Sequence, residues 1–175
     1  MTLHLVRHGR PVVHPGVPPH EWELDPAGYD DVWALRESGR LPGVAAWFSS
    51  PEPKALGTAQ LLTDTEIGVV EELREHERGV TPWYDDLQKW RSIVASVFTA
   101  PEQPALPGWE PLSRTAARLI PAVRRIVTAH GDDDVVLVGH GTAWTLLVAE
   151  LTGSPPDLAR WDTLAMPDVI AVEPS

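Results

Sequence analysis

Two short apolar runs in this chain each stop at a histidine. Leu3-His4-Leu5-Val6 ends on Arg7-His8-Gly9, and Val135-Val136-Leu137-Val138 ends on Gly139-His140-Gly141. Near neutral pH an imidazole is both a nucleophile and a proton carrier. A guanidinium beside it is a planar fork that can hold two oxygens of one anion. Both runs read as buried strands. Their histidines then arrive at the edge of a sheet, where the neighbouring glycines let the backbone bend sharply. Such an arrangement suits an anion and nucleophilic chemistry.

The elements that must deliver these groups alternate along the chain. Strand-like runs cover Thr2 to Val6, Ala45 to Phe48, Ile67 to Val70, Val135 to Val138 and Asp168 to Val172. Helical spacing predicts a first helix opened by Asp25-Pro26, with Asp25 as its cap, and closed by Gly39. Further helices are predicted from Glu52 to Leu62, Tyr84 to Phe98, Pro111 to Ala129 and Thr142 to Leu151. Alternating strands and helices predict an α/β fold with helices on both faces of the sheet. Between Arg10 and Glu23 the prolines at 11, 15, 18 and 19 forbid regular structure. Leu73 to Gly79 reads as irregular. No repeat, low-complexity tract or linker interrupts the 175 residues, so one domain is expected.

Composition narrows the function. The formal net charge of −11 leaves no basic field for a nucleic-acid backbone or an anionic membrane. It leaves room for a pocket that is locally positive on an acidic body. No stretch approaches the ~18 apolar residues of a membrane span. The first strand starts at Thr2 or Leu3, which leaves no space for a signal peptide, and a cytoplasmic protein is expected. With no cysteine, a thiol nucleophile, a disulfide and a zinc–thiolate site are all excluded.

Four segments in order carry a specific likeness. Leu5-Val6-Arg7-His8-Gly9 resembles the signature of the histidine phosphatase superfamily, also called phosphoglycerate mutase-like. Ser49-Ser50-Pro51-Glu52-Pro53-Lys54-Ala55-Leu56-Gly57-Thr58-Ala59 resembles that family's S-S-P-x-x-R-A-x-x-T-A segment. Leu73-Arg74-Glu75 resembles its L-x-E segment, and Val136-Leu137-Val138-Gly139-His140-Gly141 its second-histidine strand. The resemblance implies a three-layer α/β/α fold with a mostly parallel sheet and a short cap or insertion around residues 76–110. It also implies a phosphatase acting on a small phosphorylated substrate.

The residue types fit that chemistry. Arg7 can hold two phosphate oxygens, Lys54 can add a point charge, and His140 can close the ring with an N–H. His8 is then the nucleophile, attacking phosphorus in line to give a phosphohistidine. Glu75 protonates the leaving alkoxide and later takes a proton from water, with Glu77 as the alternative carboxylate in the same charged stretch. A ring of cations makes a metal or other cofactor unnecessary. Lys54 departs from the family's arginine and cannot give a bidentate grip. Arg10 is either the cation that makes up for it or a surface arginine on the loop. Ser50 offers a hydroxyl, although helix capping by Ser49 or Ser50 is the simpler reading.

The remaining candidates read as structure. His14 and His20 lack partners at metal-ligand spacing and belong to a loop. His76 and His130 read as surface residues, and Arg114, Arg118, Arg124 and Arg125 as the solvated face of the long helix. Trp83, Tyr84, Trp90 and Trp109 read as the packing of a short cap, with a substrate wall as the alternative. Within the enzyme class a mutase and a phosphohistidine-directed protein phosphatase remain alternatives to a metabolite phosphatase. Outside it stands a silent module that only binds a phosphorylated partner.

Overall fold

The structure is a computed structural model that describes residues 1–80 and 86–173. Trp83 and Tyr84, and with them the expected start of the third helix, lie outside the described residues. The five predicted strands form β1 (Leu3–Arg7), β2 (Ala46–Ser49), β3 (Ile67–Val69), β4 (Val135–Gly139) and β5 (Asp168–Val172). They build one sheet in the order β3-β2-β4-β1-β5. β1, β2, β3 and β4 run parallel, and only β5 is antiparallel, against β1. β4 lies at the centre, and all five of its residues are buried. That is what an uninterrupted apolar run requires of a strand covered on both faces.

Two layers of helix supply that cover. Val6, Val136 and Val138 point to one side, where they pack with Val32 and Leu35 of α1 (Tyr29–Glu37) and with Ala59 and Leu62 of α2 (Pro53–Leu62). Leu3, Leu5, Val135 and Leu137 point to the other. There they meet Leu119, Val123 and Ile126 of α4 (Leu112–His130) and Ala143, Trp144 and Leu147 of α5 (Gly141–Thr152). The period-two alternation of each strand thus feeds two separate apolar layers, and the fold is the expected α/β/α sandwich. A third cluster joins Val94 and Val97, on and just after α3 (Leu87–Ser96), to Trp109, Leu112 and Trp161. Trp161 belongs to α6 (Leu158–Thr163), a six-residue helix that the sequence reading did not anticipate.

Local signals explain most boundaries. Asp25 accepts a hydrogen bond from the Ala27 N–H and starts a short 3-10 turn, Pro26–Gly28, that runs into α1. Pro53 opens α2 at a position where no N–H is needed. Gly131 and Gly153, both at positive φ, close α4 and α5. The charged stretch after β3 has only a single 3-10 turn, Glu71–Leu73, before it becomes irregular.

Candidate active site

Parallel pairing brings the two histidines together. Arg7 lies in register with Gly139, and the His8 N–H donates to the Gly139 carbonyl at 2.9 Å, so β1 and β4 finish side by side. β2 ends one strand further along, where the Ser50 N–H donates to the Val138 carbonyl at 2.9 Å. The carboxyl ends of three neighbouring parallel strands therefore present Arg7-His8, Ser50 and His140 at one edge, the usual binding edge of such a sheet. The His8 and His140 rings meet edge to face with centroids 5.2 Å apart.

Each ring is held in a defined state. His8 Nδ1 lies 2.6 Å from the Gly9 carbonyl oxygen, which can only accept, so Nδ1 carries the proton and Nε2 keeps its lone pair. The turn at Gly9 is itself pinned. Its N–H donates to Thr58 Oγ1 at 2.9 Å, and that hydroxyl donates to the Lys54 carbonyl at 2.7 Å. A side chain at Gly9 would run into Leu24 and Val32 at under 3 Å. Burial holds the His8 pKa well below its ordinary value, and His140 and Lys54 push it the same way. His140 is fully buried and is likewise held neutral, chiefly by burial and then by Lys54. Its Nε2 meets Ser50 Oγ at 2.8 Å and lies 3.4 Å from Glu52 Oε1.

Glu75 arrives from the irregular stretch after β3. Its Oε1 accepts the N–H groups of His76 and Ala143, both at 2.9 Å, and Oε2 accepts that of Thr142 at 3.2 Å. The carboxylate thus caps the amino end of α5, where backbone N–H groups favour an anion. Burial alone would raise its pKa. The Arg78 guanidinium above all, and the His76 N–H, outweigh burial and bring it down to about 2. Arg78 approaches Oε2 at 3.8 Å and donates to Thr142 Oγ1 at 2.6 Å. Its guanidinium also lies over the rings of Trp90 and Trp109, at 5.8 and 5.4 Å from their centroids. Arg118 holds the loop from behind, donating to the carbonyls of Glu72, Arg74 and Glu75 and to the Glu110 carboxylate.

Around this cluster several buried polar atoms have no protein partner among the described residues: Nε of Arg7, Nε of Arg78 and Nδ1 of His140. Buried polar atoms of this kind are normally satisfied. Three of them converging at one sheet edge suit a tetrahedral oxyanion. Among the described residues no cluster of three His, Cys, Asp or Glu is arranged to hold a metal ion.

A family model, histidine phosphatase superfamily (branch 1), matches residues 3–173. The chain belongs to that superfamily. A search of curated protein sequences gives no significant match. Among solved structures, this histidine phosphatase is similar to mycobacterial glucosyl-3-phosphoglycerate phosphatase Rv2419c in complex with VO3. The identity is 27%, the TM-score 0.75, and 98% of this chain and 92% of that chain are covered. Bacillus stearothermophilus YhfR matches at 25% identity and a TM-score of 0.75, over 98% of this chain and 90% of that chain. The α-ribazole phosphatase of Shigella flexneri, at 20% identity and a TM-score of 0.70 over 99% and 90%, shares the fold. The family and the likeness to the mycobacterial phosphatase make the chain a hydrolase of phosphoric monoesters.

Several predicted site residues of this histidine phosphatase meet, and others do not. Arg7, His8, Lys54, Glu75 and His140 are clustered. Arg10 is not among them, because its Nε donates to Asp25 at 3.1 Å with half of its side chain exposed. Glu77 is exposed and stands outside the cluster, whereas Glu75 is part of it. Ser50 contributes its hydroxyl to His140 rather than capping α2, whose cap residue is Glu52. His76, read as a surface residue, is buried and donates through Nε2 to the Glu110 carbonyl at 2.7 Å. Arg118 faces inward although Arg114, Arg124 and Arg125 are exposed as expected. Trp90 and Trp109 pack in the third cluster, as cap packing requires. Glu52 and Arg78 were missed. Their signal was a carboxylate inside the Ser-Ser-Pro segment and an arginine three residues after Glu75, neither distinguishable from surface charge without the fold.

Proposed function

We propose that the protein hydrolyses a small phosphorylated metabolite without a metal, through a phosphohistidine on His8. The observation that carries this reading is the state of His8. Its Nδ1 proton is committed to Gly9, its pKa is depressed, and its ring stands against His140 among cations. A neutral imidazole with Nε2 free is the form that attacks phosphorus. Arg7, Lys54, Arg78 and the imidazole N–H of His140 bind the non-bridging oxygens and offset the charge of the transition state. An ester arriving as the monoanion gives its proton to the Glu75 carboxylate. Nε2 bonds to phosphorus as the P–O bond breaks, and Glu75 returns the proton to the departing alkoxide. The carboxylate then takes a proton from water, whose oxygen displaces His8 and leaves as inorganic phosphate.

Hydrolysis is favoured over a mutase reaction by the segment between Glu75 and α4. Of its basic residues, Arg78 is engaged with Glu75, Arg91 pairs with Asp162 at 3.3 Å, and Lys89 is exposed on α3, so none is built into the site as a grip for a second acidic group. The test is turnover of an aryl phosphate in the presence of a metal chelator. Wild type hydrolyses it, and His8→Ala loses activity by about 10³-fold or more. Equal rates for the two proteins would remove His8 from the reaction, and a protein that only binds phosphate would show no turnover in either.

A further inference from the structure

Glu52 is an anion inside a site built for anions. It is 4% exposed, at the head of α2. Its Oε2 takes the ammonium of Lys54 at 2.5 Å, and its Oε1 accepts the Glu75 N–H at 2.8 Å while lying 3.4 Å from His140 Nε2. Lys54 is itself 4% exposed and gives another proton to the Pro19 carbonyl at 2.6 Å. The lysine that stands where the family pattern has its phosphate-binding arginine is therefore already occupied by a carboxylate and a carbonyl. Stability alone is a poor account of such a pair, because burying two charges costs about as much as their attraction returns.

The geometry points to Glu52 as a residue that sets how tightly the site holds a phosphoryl group. It is a built-in competitor that holds Lys54 and opposes the oxygens of an incoming phosphoryl group. The inference rests on the phosphatase reading above and refines its substrate class. Glu52 weakens the hold on any phosphoryl group, inorganic phosphate included, because like charge is set beside the anion. An ester recovers affinity through its organic part, whereas free phosphate has none. A ligand held usefully by this site is therefore an ester with a substantial organic portion, and phosphate is released readily.

The test is direct calorimetric binding of inorganic phosphate, with no turnover involved. Glu52→Gln keeps the shape and the acceptor for Glu75 while removing the charge, and should bind phosphate about tenfold more tightly. Adding Lys54→Met to Glu52→Gln should erase that gain. Unchanged or weaker phosphate binding by a Glu52→Gln protein with a wild-type circular dichroism spectrum overturns the proposal. Should that variant fail to fold, Lys54→Arg is the second measure. Its wider fork can keep Glu52 and still face an oxyanion, so phosphate should bind several-fold more tightly, and a loss counts against the proposal. Wild-type hydrolysis with unaltered phosphate affinity in these variants defeats only the role of Glu52. Tightened binding with no hydrolysis by any variant defeats only the catalytic reading.

Discussion

A carboxyl group that protonates a leaving alkoxide must first hold a proton, and at about 2 the Glu75 pKa leaves none near neutrality. The same contacts that explain the low value also show what changes it. Arg78 faces the carboxylate in the ligand-free site, and a bound phosphoryl group draws that charge toward itself. Removing that support while adding negative charge favours the protonated acid. Glu75 is therefore an acid only in the complex. Glu75→Gln should slow an alkyl phosphate by about 10²-fold or more and a nitrophenyl phosphate by less than about tenfold, since nitrophenolate leaves with little proton help. Steady-state kcat on the two substrates checks this, and an equal loss on both would place the acid elsewhere. His8 presents the complementary case, with burial and neighbouring cations keeping it unprotonated and nucleophilic.

Strand-borne residues of the site were legible because a strand has one simple rule. Parallel β1 and β4, each an apolar run, must end at the same edge, so Arg7-His8 and His140 meet whatever the loops do. Even the glycine between Val138 and His140 has a local reason. A Cβ there would lie 2.5 Å from the ring of Trp144, whose indole N–H donates to the Val6 carbonyl at 2.8 Å and ties α5 to β1. Loop-borne residues follow no such rule. The positions of Arg78 and His76 depend on Trp109 and Glu110, more than thirty residues on, and Arg118 reaches back to carbonyls of the Glu75 loop. On a helical wheel Arg118 looks like its exposed neighbour Arg114. Only the tertiary path of the loop turns it inward. Arg10 is the converse, a cation beside the signature that Asp25 draws away to the surface. α6, with six residues and no buried ones, carries too little pattern to be seen.

Across the whole molecule a body of formal charge −11 encloses Arg7, Lys54 and Arg78 at one sheet edge. Substrate attraction is therefore local to the pocket rather than a property of the surface. Among the described residues, no helix is long and apolar enough to cross a membrane. The buried titrating groups also set how the fold responds to acid. His8 and His140 have pKa values well below the ordinary 6.5 when folded. As pH falls below about 6.5 the unfolded chain takes up protons at these positions before the folded chain does, so stability declines. Glu75 adds a loss of the same sign as pH drops from 4.5 towards its folded value of about 2. Thermal melts should give a lower Tm at about pH 5 than at about pH 7.5, with a shallower dependence for His8→Ala. A Tm that is flat or rises on acidification contradicts the neutral, buried state of the two imidazoles.

The central claim is that His8 Nε2 becomes bonded to phosphorus during turnover. Its most direct measurement mixes enzyme with aryl phosphate, quenches in alkali within one turnover, and maps the modification by peptide mass spectrometry. The account predicts one phosphoryl group on the peptide that carries His8, lost after brief acid treatment and absent from His8→Ala. Turnover with a phosphoryl group on another residue, or with none trapped while aryl alcohol is released in a burst, would contradict it.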